Sequence, residues 1–304
     1  MARAPPKPAL PKPALDDARL APGLYVVATP IGNLRDITLR ALDVLAQADL
    51  VLAEDTRVTG KLLHAYAISA KLERHDEHAA ERVRPKVLAA LAEGKRVALV
   101  SDAGTPLISD PGYRLVREAA AAGHAVFPIP GASALLAGLS AAGLPTDRFL
   151  FVGFPPAKSA ARRTFLAEFA GVRATLVFFE GGSRLAASLA DMAAVLGARE
   201  AVVCRELTKL YETFYRGPLS DLAADPRLDA PKGEIVILVG PGRETQSTAA
   251  DADTALSEAL TRLKPADAAG EVAKALGLPR RDLYRRALEL RENGELKENG
   301  ELKR

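Results

Sequence analysis

The chain has 304 residues, 48% of them hydrophobic, and its 41 Lys and Arg against 38 Asp and Glu leave a formal net charge of +3. That length and apolar content suffice for one large core or two medium ones, and the near-balance of charge excludes a polybasic coat, so any nucleic-acid surface has to come from local clustering. A single cysteine excludes an intrachain disulfide framework, and no apolar run is long enough to span a bilayer or to form a secretory core, which points to a cytoplasmic enzyme.

Residues 1–22 hold Pro-Lys-Pro-Ala-Leu twice, at 6–10 and 11–15, which reads as an extended, disordered tail unable to nucleate a core. From 23 to 131, the strand-like runs Leu24 to Ala28, Leu50 to Ala53, Val97 to Val100 and Ala125 to Ile129 alternate with amphipathic stretches such as Ile37 to Gln47 and Val87 to Glu93. That alternation predicts an α/β domain with a mostly parallel sheet. The first strand empties into Ala28-Thr29-Pro30-Ile31-Gly32-Asn33-Leu34, which is neither a dinucleotide-binding Gly-x-Gly-x-x-Gly turn nor a Walker loop and so disfavours a nicotinamide or nucleoside triphosphate site. The second strand ends in Glu54-Asp55-Thr56-Arg57, two carboxylates and a guanidinium at the same carboxyl edge. In His75-Asp76-Glu77-His78 the adjacent spacing sends successive side chains to different faces, so no metal is expected there.

The most informative loop follows Val97 to Val100 and runs from Ser101 to Gly112. Gly104 lets the backbone approach a bound group, while Asp102, Thr105 and Ser109 present oxygens at the carboxyl end of a strand, where open α/β sheets bind ligands. Asp110 as N-cap, Pro111 at the first helical position and Gly123 past the end predict a helix over 111–122. Pro130-Gly131-Ala132-Ser133-Ala134 marks the junction to a second α/β domain over 132–243 and lines the cleft there. Its strands are expected at Phe149 to Phe154, Ala174 to Phe179, Ala201 to Glu206, Glu212 to Arg216 and Glu234 to Val239, in a mixed sheet with Cys204 buried as a small hydrophobe. A helical segment over 254–291 carries a helix-turn-helix-like pattern, and Glu-Asn-Gly-Glu-Leu-Lys repeated at 292–297 and 298–303 reads as a disordered tail.

Thr29-Pro30-Ile31-Gly32-Asn33, Glu54-Asp55-Thr56-Arg57, the Ser101 to Gly112 loop, the Pro130 to Ala134 turn, Leu144-Pro145-Thr146-Asp147-Arg148-Phe149 and Arg205-Glu206-Leu207-Thr208-Lys209 are long and compositionally unusual. Together they resemble the ribosomal RNA small-subunit methyltransferase I family, the ribose 2′-O-methylating branch of the tetrapyrrole methylase (class III methyltransferase) superfamily. The likeness runs from about Gly23 to Val239 and continues through the C-terminal helices. The family pattern has Pro where this chain has Ala132, and Glu-Ser-Pro-His-Arg where it has Glu180-Gly181-Gly182-Ser183-Arg184.

The resemblance implies two α/β domains, S-adenosylmethionine held in the cleft between them, no metal, a homodimer, and the small ribosomal subunit as partner. The reaction it implies is methylation of the 2′-hydroxyl of one cytidine in the decoding region of 16S ribosomal RNA. Carried onto this sequence, the donor site draws on Pro30, Gly32, Asp102, Gly104, Thr105, Pro106, Ser133 and Ala134. Asp55, Glu206 and Lys209, with His78 further off, are the candidates to accept the ribose proton. Arg57, Lys61, Lys158, Arg162, Arg163, Arg184 and Lys209 are the candidate RNA cations, joined by Arg280, Arg281, Arg285 and Arg286 of the helical end. Two other readings stand beside this one: a small-molecule tetrapyrrole or corrin methylase, against which the Glu54 to Arg57 and Arg205 to Lys209 strings weigh, and a non-catalytic RNA-binding protein, which leaves the strand-end loops unexplained.

Overall fold

The structure is a computed structural model that describes residues 19–77, 79–109, 112–242, 249–276 and 278–301. Most of the expected N-terminal tail, together with His78, Asp110 and Pro111, lies outside the described residues. The chain forms two compact units, Met1–Gly242 and Arg243–Arg304.

The first half of the larger unit runs β1 (Gly23–Val27), α1 (Leu39–Gln47), β2 (Leu50–Ala53), α2 (Thr56–Ala65), β3 (Leu72–Arg74), α3 (Ala80–Ala92), β4 (Arg96–Val100), α4 (Tyr113–Ala121) and β5 (Val126–Ile129). Its strands pair in the order β3-β2-β4-β1-β5, every pair parallel. Continuous apolar runs such as Val97 to Val100 are what a parallel sheet covered on both faces requires. Side chains alternate across it: Leu24, Leu52 and Leu99 join Val83 and Val87 of α3 and Leu115 of α4 on one face. On the other, Tyr25, Val51 and Val100 join Val44 and Leu45 of α1 and Leu63 of α2.

This topology makes the site. The helix after β1 packs on one face and the helix after β4 on the opposite face, although β1 and β4 are neighbours. Their outgoing loops therefore diverge and leave a crevice beyond the carboxyl ends of the two strands, the topological switch point of an open sheet.

Three local expectations change. β3 escaped the sequence reading because Leu-Glu-Arg is too short and polar to show a strand pattern. α3 begins seven residues before the expected Val87 and carries Pro85 inside it, because Val83 and Val87 both bury in the core and tertiary packing outweighs the lost hydrogen bond. The helix expected over 111–122 starts at Tyr113 with Gly112 as its N-cap.

At the opposite, amino edge, the Asp49 carboxylate accepts from both the backbone and the guanidinium of Arg96 at 2.8–2.9 Å, tying the start of β2 to the start of β4. The Arg96 hydrogen bonds lower the Asp49 pKa from 3.8 to about 2. A carboxyl depressed on folding stabilises fully above its ordinary value and loses that contribution as pH falls toward the folded one. The melting-temperature gap between the parent and a D49N protein is accordingly expected to be widest above pH 3.8 and to close as pH approaches 2. A gap independent of pH would refute the assignment.

The second half runs α5 (Ala134–Ala142), β6 (Phe149–Gly153), α6 (Ser159–Ala167), β7 (Thr175–Gly181), α7 (Leu185–Leu196), β8 (Glu200–Arg205), β9 (Thr213–Pro218), α8 (Leu219–Ala224) and β10 (Glu234–Val239). The sheet order is β6-β7-β10-β8-β9, with β6 parallel to β7 and the other pairs antiparallel, the mixed sheet expected. Leu185, Leu189 and Met192 of α7 fill one face. Leu135 and Leu139 of α5 cover the other, over Val177, Val202, Cys204 and Val236. Cys204 is fully buried as read from the sequence, and desolvation pushes its thiol up to about 12. Ile31, from the loop after β1, packs in this same second cluster, so the first strand-end loop is anchored in the second sheet's core.

The smaller unit contains α9 (Ala249–Leu260), α10 (Pro265–Leu276) and α11 (Arg280–Glu301), packed around Leu256, Ala268, Ala269, Val272, Leu283 and Ala287. α9 starts before 254 and α11 runs past 291 into the stretch expected to be unstructured; Glu, Leu and Lys in that repeat are good helix formers with only one Gly per copy. Arg286 bonds both carboxylate oxygens of Asp253 at 2.6–2.7 Å, which commits it to holding α9 against α11, not to RNA. No helix among the described residues is long and apolar enough to cross a membrane.

Candidate active site

The loops after β1 and β4 are stitched together by main-chain hydrogen bonds, Thr29 N–H to Gly104 O at 2.9 Å and Gly104 N–H to Thr29 O at 3.0 Å. Thr29 Oγ1 donates to Ser101 O, and Thr105 Oγ1 donates to Ala132 O at 3.2 Å, which ties the strand-end loop to the turn before α5. Ser133 caps α5 through the Leu136 N–H. Gly104 sits at φ +85, where a Cβ would lie 3.2 Å from Ile31 Cγ2. Three segments distant in sequence are thus held in one wall.

Two adjoining pockets open on this wall and share Ile31, Asp102, Ala103 and Glu234. The first, about 280 Å³, combines the apolar surface of Ile31, Leu207, Phe179 and Val236 with the carboxylates of Glu54, Asp102, Glu180 and Glu234, the last two paired with Arg184 and Lys209, and among the described residues no Lys or Arg lines it. The second, about 430 Å³, is bordered by Pro30, Gly32, Lys61 and Lys209. One pocket is acidic and apolar, its neighbour carries the cations, and Asp102 faces both.

Asp102 is itself oriented: its Oδ1 accepts the Asp55 N–H at 2.9 Å. Asp55 caps α2 and is clasped by Arg57 through contacts of 2.5–3.1 Å. The Arg57 hydrogen bonds hold the Asp55 carboxyl well below the usual carboxylate range. Glu206, at φ +55, accepts from Lys209 Nζ at 2.9 Å and from Glu234 N–H, and the Lys209 bond lowers its pKa. Lys209 also bonds Glu234 at 2.9 Å. Burial works to lower the ammonium's pKa, but the bonds from Glu206 and Glu234 outweigh it and the net shift is upward. The three groups considered as proton acceptors are therefore paired ions, each held in its charged form. A carboxylate held that low is a weak base, and an ammonium held that high does not give up its proton at neutral pH.

Of the residues carried over for the donor, Asp102 and Ala134 line the first pocket and Pro30 and Gly32 the second, while Gly104, Thr105 and Ser133 join the loops behind them and Pro106 is buried. Glu54 and Leu207, which the sequence named only within the Glu54 to Arg57 and Arg205 to Lys209 strings, also line the first pocket, as do Glu234, Phe154 and Phe179, which it did not single out. The acidic start of β10, just after Lys232-Gly233, was the one local signal for Glu234.

Two expected RNA cations are corrected. Arg162 is only 3% exposed; its guanidinium bonds Asp191 at 2.7–2.8 Å and donates to the carbonyls of Pro156, Ala157 and Ala187, so it cannot reach a phosphate. Arg184 is spent on the buried Glu180 and on Pro155 O. Arg57, Lys61, Lys158 and Arg163 are exposed.

Comparison with known proteins accords with this architecture. The profile described as Tetrapyrrole (Corrin/Porphyrin) Methylases matches residues 23–223, and that described as RsmI C-terminal HTH domain matches 246–291. A protein of Mesorhizobium japonicum named ribosomal RNA small subunit methyltransferase I is 52% identical over 90% of this chain and 94% of its own length. The proteins of that name from Erythrobacter litoralis and Escherichia coli O157:H7 are 57% and 47% identical over 90% and 88% of this chain and 96% and 94% of their own lengths. The chain belongs to the ribosomal RNA small subunit methyltransferase I family.

Membership in this methyltransferase family sets aside the non-catalytic reading. The solved methyltransferase CobJ superposes with a TM-score of 0.55 at 20% identity over 72% of this chain and 94% of its own, and the cobalt precorrin-4 methyltransferase CbiF with 0.52 at 20% identity over 71% and 94%, which establishes the tetrapyrrole methylase fold alone. At Gly182 a Cβ would lie 1.6 Å from Pro231 O, so this backbone admits only glycine there.

Proposed function

We propose that the chain transfers a methyl group from S-adenosylmethionine to the 2′-hydroxyl of one cytidine in the decoding region of 16S ribosomal RNA, acting as a cytoplasmic homodimer. The observation that carries this reading is the pair of pockets meeting at Asp102, one suited to a cation with an apolar body and the other bordered by Lys61 and Lys209. The donor bears a positive sulfonium, and its fit is supported by the carboxylates of Asp102 and Glu54 above an apolar floor, Glu180 and Glu234 being already paired with Arg184 and Lys209. Bound there, it supplies an electrophilic methyl group.

This chain's residues then supply alignment. Asp102, fixed by the Asp55 N–H, orients the donor's polar end, while Ile31 and Phe179 confine the apolar part and exclude water. Lys61, with Arg57, Lys158 and Arg163 beyond, takes the RNA phosphates. Holding the acceptor oxygen in line with the methyl carbon replaces a bimolecular encounter, and such positioning supplies much of the rate. Because Asp55, Glu206 and Lys209 are held as charged pairs, they act as positioning groups; as the ribose oxygen takes the methyl, the S–CH3 bond would break to leave a neutral thioether and the hydroxyl proton would pass to water.

The test is transfer of radiolabelled methyl to small ribosomal subunits from a strain lacking this protein, with the labelled nucleotide mapped by digestion and mass spectrometry. A single 2′-O-methylcytidine in the decoding region is the expected product. Absence of RNA label with donor binding intact would return the small-molecule acceptor.

A further inference from the structure

β6 does not keep the alternation of an ordinary strand. Its register on β7 shifts between Phe151 and Gly153, so Val152 is an extra residue, and Gly153 stands at φ +82. A Cβ on Gly153 would meet only Ser109 Oγ, at 3.8 Å, so the left-handed backbone and not crowding calls for glycine there. In a regular strand, residues three apart point to opposite faces. Here Phe151 and Phe154 both pack edge-on against Phe179, with ring centroids 4.8 and 5.6 Å away. The bulge thus carries Phe154 from the α7 face of the sheet, where Val152 packs, to the face that forms the first pocket. The ring is not buried by the move: it lines the pocket's rim and stays 57% exposed.

The chain beyond Phe154 is fixed carbonyl by carbonyl. Arg184 donates to Pro155 O at 2.6 Å, and Arg162 donates to Pro156 O and Ala157 O at 3.2 and 3.0 Å. Both guanidinium groups are in turn held by buried carboxylates, Glu180 and Asp191. The clamped loop ends at Lys158, which is exposed and makes no ion pair among the described residues, and Arg163 is exposed beyond it on α6. What this framework presents to solvent is a preset aromatic ring followed by cations. Those are the elements by which proteins hold an unstacked base and the phosphate attached to it. The pocket interior sets the orientation: Asp102 and Glu54 repel a phosphate, so the phosphodiester lies toward Lys158 and the sugar edge toward the pocket.

We infer that Phe154 is the stacking platform for the base of the nucleotide that receives the methyl group, with Lys158 on a phosphate of the same strand. The inference rests on RNA being the acceptor. Phe154 serves the acceptor and not the donor's adenine because it is the exposed member of the aromatic pair, at the rim where a strand arrives from solvent, while Phe179 is the more buried one.

Full-length F154A, F154L and F154Y proteins test it. F154A and F154L are expected to lower kcat/KM for small ribosomal subunits about tenfold, the low end of what loss of one base–aromatic stack gives. F154Y, which keeps an aromatic face, stays near the parent. Leucine keeps apolar bulk without a π face, so a merely structural role would let F154L rescue. Donor affinity by calorimetry stays at the parent value in all three. Because the chain has no tryptophan, F154W adds a single indole whose fluorescence a stacked base quenches. Oligocytidylate should quench it, whereas an abasic oligomer of ribose phosphate and S-adenosylmethionine alone should not. Parent-like kcat/KM in F154A, rescue by F154L, or equal quenching by the abasic oligomer would overturn the platform while leaving the methyl-transfer reading intact. Quenching by S-adenosylmethionine alone, with weaker donor binding in F154A, would overturn it by giving Phe154 to the donor's adenine. Failure of the parent itself to label RNA would instead remove the reading on which the inference stands.

Discussion

A G104V protein is expected to lose S-adenosylmethionine binding by at least a hundredfold in calorimetry while its circular dichroism spectrum stays native. Gly104 sits at φ +85, a region that costs a β-branched residue about 1–3 kcal/mol. Its added Cβ would also come within 3.2 Å of Ile31 Cγ2. Ile31 cannot simply retreat, because it packs among Leu135, Val177 and Leu207 in the second sheet's core and lines both pockets. The strain is therefore relieved by moving the loop, which carries Asp102 two residues earlier and is bonded to Thr29 on both sides. A G104A protein, lacking the β-branch, should fall between the two. Donor affinity equal to the parent's in G104V would show that the strand-end loop does not hold the donor.

The second large effect separates architecture from recognition. R162A is expected to destabilise the protein by about 3–5 kcal/mol in denaturant unfolding, because it strands the Asp191 carboxylate in a buried site and frees three carbonyls. R163E, one residue on but exposed, should leave stability within about 0.5 kcal/mol of the parent. It should weaken binding to small subunits and reduce the salt slope by about one unit. Parent-like stability in R162A would contradict the buried ion pair, and an unchanged salt slope in R163E would remove Arg163 from the RNA surface.

Much of the fold was legible because its signals are local. Runs such as Val97 to Val100 are apolar wherever they sit, and the Gly-containing loops after them announce strand ends. Elements whose stability comes from packing were not: Leu72–Arg74 is a strand because β2 offers it a partner, and α3 runs through Pro85 because two valines bury on either side of it. In the site, Asp102 and Gly104 were identified from one loop. Glu234 was not, since its place beside Lys209 depends on β10 returning to the sheet beside β8.

The order of elements, the mixed character of the second sheet, the strand-end loops and the family strings are all written in consecutive residues, where periodicity and glycine placement carry the information. Which charges are free is not written there. Arg162 and Arg163 are alike as sequence, and only the arrival of Asp191 from α7 buries one and leaves the other in solvent. Asp55 was a candidate base as sequence, and only the fold shows it clasped by Arg57 with its N–H donated to Asp102, while His75, where no metal was expected, is buried at the carboxyl rim after β3. Ionisation and availability depend on neighbours brought together through space, and those neighbours exist only once the chain has folded.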